Sequence, residues 1–199
     1  MVRVAVSVEG TTEERFVKQV LWPYFTPKEI YITPVNIRGG VSITKVKNEI
    51  NKLVRNFDLV TTLYDFYGFA KKAGGETKDS LETKIINTLA EEHRNKFIPY
   101  VQMYEFEGLL FSSPEAIGTV LHDQNVTDWA QGVLDQFNNN PEEINDSPQT
   151  APSKRLIQKT NYRKTTHGPN IAKEIGLPKM REMCLGFSEW LTKIEALAN

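Results

Sequence analysis

The apolar residues in the first half of the chain fall into short continuous runs that alternate with stretches of helical spacing. Residues 2–8 (VRVAVSV) form a run rich in β-branched side chains, which is typical of a strand covered on both faces. After a turn at Gly10, apolar side chains recur at helical spacing as far as Phe25. The same alternation predicts further strands at 30–37, 59–64 and 97–103, and helices around 43–54 and 81–89.

This alternation predicts an α/β fold, in which a mostly parallel β-sheet of about four strands is flanked by helices. Beyond residue 105 the pattern becomes mainly helical. Helices are predicted around 115–121, 127–137, 152–159, 169–175 and 187–197. We therefore predict an α/β core at residues 1–112 and a helical C-terminal extension at 113–199 that packs on the same domain.

Acidic residues stand where several of the predicted strands end. Glu9 closes the first strand, Asp65 closes the third, and the fourth runs into Glu105 and Glu107. Glu13 lies one turn into the first helix, close to Glu9 in sequence. Because ligands of parallel α/β sheets gather at the C-terminal ends of the strands, we expect these carboxylates to share one edge of the sheet.

Carboxylates that lie close together repel one another, and a divalent cation relieves that repulsion. Their hard oxygen atoms suit Mg²⁺ or Mn²⁺, and two such ions about 4 Å apart can stabilise both oxygens of a phosphodiester displacement. Each acid, taken alone, also fits a helix cap or a solvated turn. The sequence leaves open which of Glu105 and Glu107 faces the site.

The composition limits the kinds of ligand that the chain is expected to bind and the place where it is expected to act. The 199 residues carry a formal net charge of −1, so any contact with nucleic acid needs a local basic patch. Three histidines without ligand spacing and a single cysteine argue against a zinc site. With no signal peptide and no long apolar run, we expect a soluble cytoplasmic protein without a membrane contact. Cys184, Trp22, Trp129 and Trp190 lie among apolar residues and are expected in the core.

A basic segment supplies the complementary charge. No acid occurs between Ala151 and Ile171, whereas Lys154, Arg155 and several further basic residues do. These cations attract phosphates, and Lys154 or Arg155 would neutralise charge that develops in a phosphoryl-transfer transition state. The plainer interpretation is a solvated helix face followed by a basic loop. Neither common glycine-rich nucleotide-binding motif occurs, so the chain by itself is not expected to bind ATP.

The segment VSVEGTTEERF resembles the start of a Toprim domain, the fold shared by topoisomerases, bacterial primases and nucleases of the overcoming-lysogenisation-defect type. The spacing of Glu9 and Glu13 is similar to that in the last group, and LVTTLYDFYGF occupies the place of the Toprim Asp-x-Asp strand. More closely, the chain resembles a bacterial and archaeal family of Toprim-like proteins of unknown function. The blocks that carry this likeness include LYDFYGF, QMYEFEGLLFSSP, EEINDSPQTAPSKRL and NYRKTTHGP.

The resemblance implies a nuclease that depends on Mg²⁺ or Mn²⁺ and acts on DNA or RNA, with an ATPase of the ABC type as partner and a role in phage defence. In this assignment Glu9, Glu13 and Asp65 hold the metal, and Glu105 or Glu107 assists. The chain departs from the Toprim pattern at Tyr67, which stands where the second aspartate is usual and is a poor ligand because its phenol titrates near pH ~10. The alternative is a non-catalytic or partner-activated subunit that binds nucleic acid or the ATPase.

Overall fold

The computed structural model describes residues 1–70, 72, 74–145 and 147–198. Within these residues five strands form one sheet: β1 (Val2–Val8), β2 (Ile30–Asn36), β3 (Leu59–Asp65), β4 (Phe97–Ile98) and β5 (Val101–Gln102). Their order is β2-β1-β3-β4, β5 also pairs with β3, and every pairing is parallel. The α/β class with a mostly parallel sheet is confirmed, with five described strands in place of about four.

The strand predicted at 97–103 is divided into β4 and β5. Pro99 stands between them and has no backbone N–H to donate to the ladder. At Tyr100, the Thr62 hydroxyl takes the place of the strand partner: it accepts from the backbone N–H and donates to the backbone carbonyl, both at 2.8 Å. The chain then rejoins the sheet as β5, opposite Tyr64 and Asp65. A side chain therefore bridges the interruption and keeps the edge of the sheet in register.

The helices alternate with the first strands and then dominate the chain. Those packed among the strands are α1 (Thr11–Phe16), α2 (Trp22–Phe25), α3 (Ile43–Leu53) and α4 (Lys78–Ile86). Those that follow are α5 (Pro114–Leu121), α6 (Gln124–Gln136), α7 (Pro152–Lys159), α8 (Lys164–Ile175), α9 (Leu177–Met183) and α10 (Leu185–Glu195). Of these, α9 was not predicted. None of the helices in the described ranges has the length and apolar character needed to cross a membrane.

In the described part of the chain, buried apolar side chains form a cluster on each face of the sheet. Val4, Val6 and Val8 of β1 point into the larger cluster, whereas Ala5 points into the smaller one. Helices α3 and α4 cover the smaller cluster, while α1, α2 and the helices from α5 onward cover the larger one. Both faces of β1 are therefore buried from Val4 to Val8, which explains the apolar run there.

Helix α8 begins at Lys164, five residues before the predicted start at Pro169. Pro169 lies inside the helix and has no N–H to bond the carbonyl of Thr165 one turn earlier. That carbonyl instead accepts a hydrogen bond from the guanidinium of Arg15. The carbonyl that the proline leaves without a helical partner thus ties α8 to α1. Gly168 permits this close approach, because a Cβ there would lie 3.2 Å from Cγ2 of Thr12 on α1.

The tryptophans were all predicted to lie in the core, and the structure agrees for some of them only. Trp190 is 2% exposed, stacks on Tyr100 with ring centroids 4.6 Å apart, and donates to Thr61 Oγ1 at 2.8 Å. Trp22 is 48% exposed, so its assignment to the core was wrong. Trp22 follows a π-helical turn at Val17–Leu21 that joins α1 to α2, and it lies on the solvent side of this helical segment, whereas Val17, Val20 and Leu21 are buried.

Trp129 is half-buried and packs against the larger cluster. Cys184 is fully buried near Ser112, and burial raises the pKa of its thiol to about 12. A thiol that stays protonated and shielded from solvent behaves as a packing residue.

The bridge between β4 and β5 predicts a stability effect. Thr62→Val keeps the shape of the side chain but leaves the buried N–H and carbonyl of Tyr100 without that partner. We expect the free energy of unfolding, measured by urea denaturation, to fall by about 1–3 kcal/mol. Thr44→Val, on the exposed side of α3, is the matched control and should change it by less than about 0.5 kcal/mol. Equal stability of the two variants would contradict this role of Thr62.

Candidate metal centre

The turn from β1 into α1 places the first two acids. Glu9 follows the last residue of β1, and Gly10 precedes α1 in an extended conformation. The side chain of Glu13 folds back, so that its Oε2 accepts from the Gly10 N–H at 3.0 Å. Glu13 is only 8% exposed. The sequence EGTTEE therefore builds a helix cap that also buries a carboxylate beside the end of the strand.

Asp65 ends β3, the strand next to β1 in the sheet, and both strands run in the same direction. Its Oδ1 accepts from the backbone N–H of Phe106 at 2.7 Å. The chain then makes a short turn in which Gly68 approaches Glu9. A Cβ atom at Gly68 would lie 2.0 Å from Glu9 Oε2, so a larger residue here would require the Glu9 carboxylate to move. Neighbouring parallel strands thus deliver Glu9 and Asp65 to the same rim of the sheet.

Glu105 and Glu107 both reach this rim, which answers the question that the sequence left open. After β5 the chain leaves the sheet and forms a 3-10 segment at Phe106–Ser112, so strand alternation no longer applies. Glu105 Oε2 accepts from the Ser153 N–H, at the start of α7, at 2.8 Å. Glu107 is 2% exposed, and its Oε1 accepts from the Tyr162 hydroxyl at 3.2 Å.

Lys164 supplies positive charge to this group of acids. Its Nζ lies 3.5 Å from Glu107 Oε1 and 3.8 Å from Glu105 Oε1. The residue begins α8, which the bond from Arg15 to Thr165 fastens to α1. The site thus combines acids from the strand ends and the turns that follow them with a cation from a helix much later in the chain.

Lys154 and Arg155, which the sequence analysis favoured as the cations of the site, lie elsewhere on α7. Lys154 is exposed. Arg155 Nε donates to the Thr150 carbonyl at 2.7 Å, and its guanidinium lies 5.3 Å from the centre of the Phe137 ring. Among the described residues, the ion pairs of Glu105 and Glu107 are with Lys164. Lys164 belongs to the same acid-free segment, 151–171, but linear spacing does not say which lysine faces the acids.

The acids lie close enough together to raise one another's pKa values. Burial raises the pKa of Asp65 well above its usual range, and the charges of Glu13, Glu107, Glu9 and Glu105 raise it further. Burial, and then Glu13, raises the pKa of Glu9. Each ionised carboxylate therefore makes ionisation of the others more costly.

Lys164 opposes this repulsion. Burial raises the pKa of Glu107 to about 7, although Lys164 lowers it. For Lys164 itself, burial lowers the pKa, but Glu107 and Glu105 outweigh burial, so the net shift is upward. The ammonium group therefore stays charged and offsets part of the negative charge.

The donor set fits a hard divalent cation by its chemistry. Glu9 Oε2 is buried and has no hydrogen-bond partner among the described residues, and carboxylate oxygen atoms are the ligands that Mg²⁺ and Mn²⁺ prefer. Within the same residues, however, no three His, Cys, Asp or Glu side chains are already arranged to hold one ion. A bound cation would therefore have to draw together carboxylates that now repel one another.

Comparison with known proteins gives one family and one group of structures. A model of the family described as "Domain of unknown function (DUF4276)" matches residues 8–195. No curated protein matches the chain. A structure of the C-terminal region of the Xanthomonas campestris pv. campestris OLD protein, phased with platinum, is 17% identical over 98% of this chain and 95% of its own, with a TM-score of 0.42. The mercury-phased structure is 15% identical over 98% and 96%, with a TM-score of 0.41. TM-scores this low do not establish a common fold.

The raised pKa of Glu107 predicts a pH effect on the metal-free protein. A carboxyl group that titrates at about 7 when folded and at its ordinary 4.5 when unfolded stabilises the fold below pH 4.5 and loses that contribution as pH rises through 7. In EDTA, the free energy of unfolding of the wild type should fall by up to about 3 kcal/mol from this group between about pH 5 and about pH 8.

The Glu107→Gln variant cannot ionise at this position, so its unfolding free energy should fall less steeply over the same pH range. Urea denaturation at several pH values measures both slopes. Glu143→Gln, which removes an exposed acid, is the control and should follow the wild type. Identical slopes for Glu107→Gln and the wild type would show that Glu107 ionises freely in the folded protein.

Proposed function

The chain belongs to the DUF4276 family, and we propose that it is a metal-dependent nuclease, an enzyme that hydrolyses phosphodiester bonds of nucleic acid. The observation that carries the proposal is the gathering of Glu9, Glu13, Asp65, Glu105 and Glu107 around the C-terminal rim of a parallel sheet, with Lys164 among them. Such a rim is where α/β folds bind their ligands. The Toprim-like pattern of the sequence points to the same chemistry.

In this proposal Glu9, Glu13 and Asp65 hold Mg²⁺ or Mn²⁺, with Glu105 and Glu107 as further ligands. When bound, the metal supplies a water of lowered pKa and polarises the phosphate. The chain's own groups orient these ligands: Phe106 N–H holds Asp65, and Gly10 N–H holds Glu13. These backbone donors orient single carboxylates, and metal binding would still have to bring the carboxylates together.

Lys164 is the side chain that we assign to the phosphate. Its ammonium group lies within the acidic group, where a substrate phosphate would approach the metal, and a fixed positive charge there would stabilise the negative charge that develops during hydrolysis. The sequence-based hypothesis gave this role to Lys154 or Arg155. The distances favour Lys164, and the two assignments predict different variants to be inactive.

A second candidate is a binding subunit that does not cleave alone. Two observations favour it: Tyr67 stands where a second aspartate is usual in Toprim enzymes, and no set of three ligands is preformed in the described part of the chain. Such a subunit would bind nucleic acid, or act only with a partner such as the ABC-type ATPase that the sequence resemblance implies. Cleavage that appears only after the ATPase and its nucleotide are added would favour this candidate.

The acidic centre predicts metal-dependent cleavage. Supercoiled DNA, single-stranded DNA and RNA are incubated with the protein and Mg²⁺, Mn²⁺ or EDTA. We expect a product with one of the metals and none with EDTA, and a rate at least about 100-fold lower for Glu9→Gln and Asp65→Asn, which is about 2.7 kcal/mol of lost transition-state stabilisation.

Glu14→Gln is the matched control for this experiment. Glu14 lies next to Glu13 on α1, but its carboxylate pairs with Lys18 and Asn36. Its variant should keep activity near that of the wild type. Cleavage that survives in Glu9→Gln, or that is absent with every metal and substrate, would remove the enzymatic proposal.

The role of Lys164 is tested by comparing two lysines of the same basic segment. We expect Lys164→Gln to lower kcat by at least about 10-fold, because transition-state charge loses its counter-charge, and Lys154→Gln to change kcat by less than about threefold. Both rates are measured with saturating Mn²⁺, and thermal unfolding establishes that each variant is folded. The opposite order of effects would restore the assignment made from the sequence alone.

A further inference from the structure

Aromatic side chains adjoin the acids on two separate chain segments. Tyr67 lies two residues after Asp65, and Tyr104 lies directly before Glu105. The ring centroids of Tyr67 and Tyr104 are 5.5 Å apart, and Phe66 lies 6.0 Å from Tyr104. A hydrogen bond from the Tyr67 N–H to the Tyr104 carbonyl, 3.1 Å long, holds the segments together. We call Phe66, Tyr67 and Tyr104 the aromatic shelf.

The two tyrosines of the shelf do not serve as core residues. Tyr64, at the end of the same strand, is fully buried, and its hydroxyl lies 2.6 Å from Ser7 Oγ. Tyr67 and Tyr104 are only half-buried, and neither belongs to the buried apolar clusters of the described residues. Packing of the core therefore does not explain their presence beside the acids.

Lys72 places positive charge on the shelf. Its Nζ lies 5.0 Å from the centre of the Phe66 ring and 5.4 Å from that of Tyr67. The carbonyls of Phe66 and Phe69 each accept from it at 3.0 Å, which fixes the ammonium group. The shelf thus combines flat rings with a fixed cation, as the surfaces of proteins that bind single-stranded nucleic acid do.

A buried acceptor lies beside the shelf. Burial raises the pKa of Tyr67, and the adjacent side chain of Asn145 opposes that shift. Its Oδ1 is buried and has no hydrogen-bond partner among the described residues. A buried acceptor without a donor is costly unless a ligand or water satisfies it. An N–H donor on the edge of a nucleobase stacked on the shelf, such as the N3–H of thymine or uracil, is a group of the kind that this atom lacks.

From these observations we propose that the aromatic shelf stacks an unpaired nucleobase next to the acidic centre, so that the protein selects single-stranded nucleic acid over duplex. The inference rests on the proposed function in one respect, namely that the ligand is a nucleic acid. A base in a duplex is already stacked on both faces, whereas an unpaired base offers a free face to the rings. Stacking next to the acids would hold the adjoining phosphate near them.

The test measures binding without cleavage. Fluorescein-labelled oligo(dT), oligo(U) and a hairpin duplex are titrated with the protein in EDTA at low salt, and fluorescence anisotropy gives each Kd. The wild type should bind either single strand more tightly than the duplex. Tyr67→Leu and Tyr104→Leu keep apolar volume but lack a ring, so each should bind the single strands about 10-fold more weakly while duplex binding changes less than about twofold.

The controls separate stacking from other effects. Tyr67→Phe keeps the ring and should stay within about threefold of the wild type, and Tyr31→Leu replaces a tyrosine on β2 that is 39% exposed and should bind as the wild type. Equal weakening on single strands and duplex, or unchanged binding by both shelf variants, would overturn the proposal. So would a wild type that binds no single strand.

A second measurement avoids dependence on the folding of the variants. A single strand containing 5-iodouracil is irradiated with the wild-type protein, and mass spectrometry locates the cross-link. We expect it at Tyr67 or Tyr104, and a cross-link found only outside the shelf would contradict the proposal. If binding depends on the shelf but no cleavage occurs, the nuclease proposal is refuted and the shelf proposal is retained. If cleavage occurs but binding does not depend on the shelf, only the shelf proposal is refuted.

Discussion

Repulsion among partly buried carboxylates is the constraint around which the site is built. The parallel strands β1 and β3 bring Glu9 and Asp65 to one rim, and the turns that follow add Glu13, Glu105 and Glu107. Burial and mutual charge raise the pKa values of Asp65 and Glu9, so the fold maintains a local excess of negative charge at a cost in stability. Such a cost is consistent with the metal site that we propose.

Helix α8 completes this site from the far end of the chain. Lys164 opposes the charge of Glu105 and Glu107, and its position depends on the contact between Arg15 and the Thr165 carbonyl that Pro169 leaves free. The helices after the sheet are therefore not an addition to an independent site. They pack in the larger core cluster with β1 and α1, and they supply the cation that the sheet lacks.

The acids and the aromatic shelf come from the same short segments. Asp65 is followed by Phe66 and Tyr67, and Tyr104 is followed by Glu105. Each of the two segments thus places a carboxylate at the rim and at least one aromatic ring beside it. This arrangement couples the two proposals: groups for a metal and a phosphate on one side, and a surface for a base on the other. In the proposal for the shelf, Tyr67 stacks on a base, and this role does not require Tyr67 to be a metal ligand.

The sequence by itself determined the class of fold, the apolar strands β1 and β3, and the acids at their ends, because periodicity and strand ends are local properties of the chain. The tertiary structure decided the rest. Trp22 lies on the solvent side of its helix, Thr62 replaces a strand partner at Tyr100, and Lys164 rather than Lys154 pairs with Glu105 and Glu107. The contacts of Thr62 and Lys164 join residues distant in the chain, and linear spacing does not encode such contacts.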